Sequence, residues 1–156
     1  ILDERLDAGV IVEDDVAMDP ATFPPAFDAA LPFASEGAYV RLPQKNRETG
    51  EVLAPLVCRP VHTALGMQAQ LVGADAARKL LAATETFDRP VDVLIQMTWL
   101  HGADILSAWP SGVTDISATL GGSTLKQRRG LASRLRAEVR RALFRRKMAR
   151  MARKQN

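Results

Sequence analysis

The chain is poor in cysteine, histidine and aromatic residues: it has one cysteine (Cys58), two histidines and eight aromatic side chains in 156 residues. A single cysteine excludes an intrachain disulfide, and with it the small disulfide-stapled secreted scaffold; such usage fits a reducing cytoplasm. No apolar run approaches the roughly 20 residues that span a bilayer, so no transmembrane helix is expected. The first residues, ILDERLDAGVIV, are acidic. They lack a basic stretch followed by an apolar core, which is not the pattern of a signal peptide. No segment repeats, and no stretch is of low complexity apart from a basic C-terminal one.

A hydrophobic fraction of 47% with 25% charged residues is the composition of one globular domain. The net charge of +3 hides a division. Residues 125–156 hold 13 Lys/Arg against one acid, Glu138, a net +12, while the remaining 124 residues hold 8 Lys/Arg and 17 acids, a net −9. The expected organisation is an acidic α/β body over 1–124 with a basic tail over 125–156.

Along the body, 1–8 reads as the end of a helix stopped by Gly9. Residues 9–13, continuously apolar, read as a short buried strand of the parallel-sheet kind. Asp19-Pro20 starts a turn or helix, and Phe23, Phe27, Ala30 and Leu31 recur at helical spacing, with Pro24 and Pro25 tolerated near its start. The alternation in 38–42 predicts a second strand. A polar loop or hairpin tip covers 43–51, and the apolar stretches 52–59 and 61–69, broken by Pro55 and Pro60, read as short strands. The clearest helix is 73–84, with Ala76, Ala77, Leu80 and Leu81 on one face and Asp75 in its first turn. A further helix is expected over 91–100, from Pro90 to Gly102, and a strand over 105–109. Strands alternating with helices predict an α/β fold.

Within the strand–turn segment GVIVEDDVAMDP, Val10-Ile11-Val12 run straight into Glu13-Asp14-Asp15. Adjacent carboxylates raise the cost of ionising one another, so a cation, backbone donors or water must offset the repulsion. If the strand continues, alternation turns Glu13 and Asp15 to one face and Asp14 to the other. The plain alternative is a solvated turn whose carboxylates cap the helix near Ala21.

Three blocks in order, VIVEDDVAMDP, TALGMQAQLVGADAARKLL and RPVDVLIQMTWLHG followed by WPSGVTDIS, resemble glycosyltransferase family 25. These are lipopolysaccharide-type glycosyltransferases related to the collagen galactosyltransferases. The similarity covers roughly residues 9–117. There are two departures: only 12 residues precede the triplet, where family members carry a substantial N-terminal region, and Gln70 stands where they commonly have an aromatic residue. The chain is therefore expected to be a fragment, or a remnant that lost its donor-recognition half.

The resemblance implies a GT-A-like (Rossmann-like) nucleotide-sugar domain or its C-terminal part, and transfer of a sugar from a nucleotide-sugar donor to a cell-envelope glycan. It implies a divalent Mn²⁺ or Mg²⁺ that neutralises the diphosphate, with Asp15 and Glu13 as metal ligands and Glu13 and Asp14 assisting in binding the donor. Asp92, in RPVD, becomes a candidate general base for the acceptor hydroxyl; its alternative role is to stabilise a helix start. Asp115 either caps a turn or approaches the site. His62 and His101 read as structural histidines, Trp99 and Trp109 as core, and Cys58 as an inert buried thiol.

In the tail, Leu131, Leu135, Val139, Ala142 and Leu143 recur at three- and four-residue steps between arginines, the pattern of a basic amphipathic helix. The expected partner is an anionic membrane surface, which would place the chain peripherally on the inner face of the cell membrane. A solvated tail and nucleic-acid binding are the competing readings. A non-catalytic module acting through this tail is the alternative to an enzyme.

Overall fold

A computed structural model describes residues 1–45, 48–85 and 90–120 of the chain. The fold is mixed α/β. In chain order the strands are β1 (Ala8–Val12), β2 (Val16–Met18), β3 (Tyr39–Arg41), β4 (Gly50–Ala54), β5 (Val57–Pro60), β6 (Ala69–Gly73), β7 (Ile105–Ala108) and β8 (Val113–Asp115). The helices are α1 (Phe23–Ser35), α2 (Ala74–Ala83), α3 (Val91–Ile95) and α4 (Thr98–His101). Six strands form one sheet in the order β1-β6-β3-β7-β5-β4, and β2 and β8 form a separate two-stranded ribbon. Among the described residues only β3 and β7 run parallel; the other pairs are antiparallel.

Helix α1 begins where Asp19 captures Thr22: Asp19 Oδ2 accepts the Thr22 amide at 2.9 Å and the Thr22 hydroxyl as well. Pro24 and Pro25 fall in its first turn, where their missing N–H groups have no intrahelical partner to lose. The helix buries Ala26, Ala30 and Ala34 completely, at four-residue steps, against Val40, Leu71 and Leu106 of the sheet. Small side chains on that stripe let the helix approach closely. Gly73 completes the fit, since a Cβ there would lie 2.2 Å from the Ala34 carbonyl oxygen and 2.6 Å from Gly37 Cα. The opposite face of the sheet packs Tyr39, Val72 and Ile105 against Ala76 of α2 and Ile95 of α3.

Several expectations are corrected. Residues 1–7 form turns instead of a helix end: the Leu6 amide donates to the Ile1 carbonyl at 3.0 Å, and Arg5 adopts φ 54°. Gly9 lies inside β1, against the Ile1 side chain. Strand β1 is an antiparallel edge strand, not a buried parallel one, and Val10 and Ile11 are each 48% exposed. A continuous apolar run suits both positions, and only its single neighbour, β6, decides between them. The stretch 61–69 yields a strand only from Ala69 onward. Residues 61–68 run as an irregular strap with Gly66 at φ 111°. The helix expected over 91–100 is split into α3 and α4, because Met97 departs to φ −94°, ψ 59°, and Gly102 closes α4 in the left-handed conformation. Leu31 and Leu81, expected on buried faces, are 40% and 60% exposed. Trp99 and Trp109 are half-buried, not core. The tail, 125–156, lies outside the described residues.

Candidate functional site

The acidic triplet stands at the corner where the large sheet meets the ribbon. The Glu13 amide donates to the Gln68 carbonyl at 2.9 Å, extending the β1–β6 pairing past Val12. Two residues on, the Asp15 carbonyl accepts the Ile116 amide at 2.8 Å, and Val16 is then registered opposite Asp115 in the ribbon. The backbone is thus held on both sides of the turn. The Glu13 amide is committed to the Gln68 carbonyl and is not turned toward the carboxylates.

Asp115 reaches the triplet through β8, a strand absent from the sequence reading, which left that residue between a turn cap and the site. Its own Oδ1 accepts the Ser117 amide at 2.8 Å. Asp92 comes from the first turn of α3. Glu13 is solvent-accessible, yet its carboxyl is raised above the usual value. Partial loss of water is the main cause, followed by repulsion from Asp15, Asp115, Asp14 and Asp92 in that order. The expected alternation of Glu13 and Asp15 required the strand to continue through the triplet, and it does not: β1 ends at Val12 and Asp14-Asp15 form a turn, in which Asp15 still acts on Glu13 more strongly than the adjacent Asp14.

The donor set suits a cation of one kind and not another. Among the described residues, no three His, Cys, Asp or Glu side chains gather closely enough to enclose a metal ion. An all-protein cage is therefore not formed. A Mg²⁺-type ion asks less of the protein, taking one or two carboxylates and completing its shell with phosphate oxygens and water. Asp15 and Glu13 are the carboxylates that the triplet offers to such an ion, in a turn with surplus negative charge.

The histidines fall outside this chemistry. His101 is buried; its Nδ1 accepts the Ala103 amide at 3.0 Å and its Nε2 faces the Ile95 carbonyl at 3.2 Å. Burial lowers its pKa, so the neutral ring ties the end of α4 to α3. His62 is exposed on the strap, and Cys58 is buried, its thiol 3.4 Å from the Glu48 carbonyl.

The sequence reading missed a buried ion pair. Arg41 of β3 binds Glu48 through Nη1, with both side chains 6% exposed. Arg41 also donates to the Gly66 carbonyl at 3.2 Å, and Glu48 accepts the Ala64 amide. The only signal for it was an arginine inside an otherwise apolar strand, and the partner sits in a loop that composition marks as solvated.

No protein-family model, curated protein or solved structure matches this chain.

Proposed function

We propose that this chain carries the diphosphate-binding corner of a GT-A-like glycosyltransferase, which moves a sugar from a nucleotide-sugar donor to a hydroxyl of a cell-envelope glycan. The observation that carries the reading is the β2–β8 pairing that sets Asp115 beside the end of the triplet, with Glu13 raised first by partial loss of water and then by the neighbouring acids. A solvated capping turn would account for the triplet alone. It would not account for β8 bringing Asp115 up to it. The order of the acidic block, the GADAARKLL block and the PVD block supports the same reading.

In this assignment Asp15 and Glu13 hold a divalent ion and Asp14 assists at the donor. The ion, when bound, neutralises the diphosphate and so makes it a competent leaving group. The chain's own residues do the rest. Asp92, half-buried at the start of α3, takes the proton of the acceptor hydroxyl as general base. The ribbon holds the triplet's backbone so that donor binding does not have to order it. Residues 125–156, with their net +12, would keep the enzyme at an anionic membrane surface where a lipid-linked acceptor resides. No helix among the described residues is long and apolar enough to cross a membrane, so attachment of this kind would be peripheral.

Calorimetry with Mn²⁺ and uridine diphosphate tests the assignment. The parent should bind the pair, and Asp15→Ala should weaken binding by at least tenfold. Equal binding by both would remove Asp15 from the site. No binding by either would favour a non-catalytic module acting through the tail.

A further inference from the structure

The face of the sheet opposite α1 carries a row of polar side chains that the fold buries without partnering in full. Register places Gln70 of β6 on one side of Arg41 and Ser107 of β7 on the other. Registered neighbours project to the same face. The residues two positions away on those strands, Tyr39, Val72 and Ile105, belong to the core on that side. Gln70 and Ser107 are each 1% exposed. Gln70 Nε2, Ser107 Oγ and Glu48 Oε2 have no hydrogen-bond partner among the described residues. Buried polar atoms left in this state weaken a fold, and each calls for an explanation. Here one of them belongs to the Arg41–Glu48 ion pair, and the other two, on β6 and β7, flank Arg41.

What lies over the ion pair is held by polar contacts. The strap segment 61–66 rests on the Ala64 amide bound to Glu48, the Gly66 carbonyl bound to Arg41, and the Thr63 carbonyl bound to Gln96 Nε2 at 2.6 Å. Its own apolar side chains contribute little burial, since Val61 and Leu65 are 52% and 49% exposed. Such a segment can lift by exchanging a few hydrogen bonds with water.

The unpartnered atoms define the chemistry that would satisfy them. Gln70 Nε2 only donates, the Glu48 carboxylate only accepts, and the Ser107 hydroxyl does both. A phosphate would leave Glu48 unpaired and be repelled by it. A metal ion would find a donor where it needs a ligand. Hydroxyl groups on a neutral ring both donate and accept, and meet all three requirements. The row also adjoins the carboxylate corner: Ile11 is registered beside Gln70, and Glu13 lies two residues further along the same face of β1. Tyr39, whose phenol is raised above its usual value mainly by burial, stands two residues before Arg41 in β3 and so shares its face of the sheet.

We propose that Gln70, Ser107 and Glu48, braced by Arg41, form a sugar-hydroxyl subsite that is uncovered when residues 61–66 lift and that receives a neutral pyranose. The assignment of that sugar to a transfer reaction rests on the function proposed above. The subsite itself does not require a metal or a nucleotide.

The test is saturation-transfer NMR on the full chain with millimolar glucose, galactose and N-acetylglucosamine, without metal or nucleotide. The same samples are examined by thermal denaturation and by calorimetry with Mn²⁺ and uridine diphosphate. At least one sugar should receive saturation from the parent. Gln70→Leu and Ser107→Ala should each cut that transfer at least fivefold while unfolding at or above the parent's temperature, because each removes an unpartnered polar atom. If one variant does not fold, the other carries the comparison. No transfer to any of the three sugars, or undiminished transfer in folded variants, overturns the subsite. Gln70-dependent sugar binding in a chain that ignores Mn²⁺ and uridine diphosphate would keep the subsite and discard the donor-binding reading.

Discussion

Replacing Arg41 by methionine is the sharpest test of how the interior is built. The substitution keeps a long unbranched side chain and removes the charge. Glu48 would then hold a carboxylate, 6% exposed, with its ion-pair partner gone, its Oε2 already without a partner, and only the Ala64 amide remaining on Oε1. Removing one member of a buried ion pair costs about 3–5 kcal/mol, because the other charge stays behind uncompensated. The Gly66 carbonyl loses its Arg41 contact as well. Removing both charges in Arg41→Met with Glu48→Leu should recover half or more of the loss, since the remaining defects are the unpaired Ala64 amide and the Gly66 carbonyl, about 1–3 kcal/mol for a buried group of that kind. Urea denaturation of the parent, both single variants and the double variant gives the full cycle at one pH. A single Arg41→Met variant within about 1 kcal/mol of the parent, or a double variant as damaged as the sum of the singles, would refute the view that the pair is buried and mutually dependent.

Other consequences follow from particular contacts. Gly73→Ala drives a Cβ to 2.2 Å from the Ala34 carbonyl and should cost at least about 1–3 kcal/mol as α1 is pushed off the sheet, measured by the same denaturation. Glu13, with its pKa raised in the folded state, binds more protons folded than unfolded just above its ordinary pKa of 4.5. Its contribution therefore favours folding at low pH and is lost as pH rises through that window. Glu13→Gln should in consequence gain melting temperature relative to the parent between pH 4 and 7, with a gap that widens upward; a gap independent of pH would contradict the carboxylate cluster. Asp92→Asn should leave melting and donor binding nearly unchanged while transfer falls by roughly 10²-fold or more, and full activity would return Asp92 to a structural role at the start of α3.

Much of the local structure was legible in the sequence, and the reasons are local. Asp19-Pro20 followed by Phe23 marks the start of α1, because capping and proline tolerance act within one turn. The stretch 73–84 reads as a helix from its alanine- and leucine-rich stripe, and Gly102 and Pro110 mark ends that the backbone obeys. The division of charge between body and tail, and the adjacency of Glu13, Asp14 and Asp15, are properties of the sequence alone. Long-range pairing decided the remainder. An apolar run such as 9–12 is compatible with a central parallel strand and with an antiparallel edge, and nothing within the run distinguishes a strand with one neighbour from a strand with two. The arrival of Asp115 beside Asp15 depends on the pairing of Val16 with Asp115, 99 positions apart in sequence. Arg41 and Glu48 read as solvated charges until β3 is found at the centre of the sheet, where burial forces them together. The sequence by itself marked α1, α2, the strands around 9–12, 39–41 and 105–108, and where the acids are; the order β1-β6-β3-β7-β5-β4 and the β2–β8 ribbon decided which of them are brought together and which polar groups must live without water, since register and burial arise only when distant segments meet.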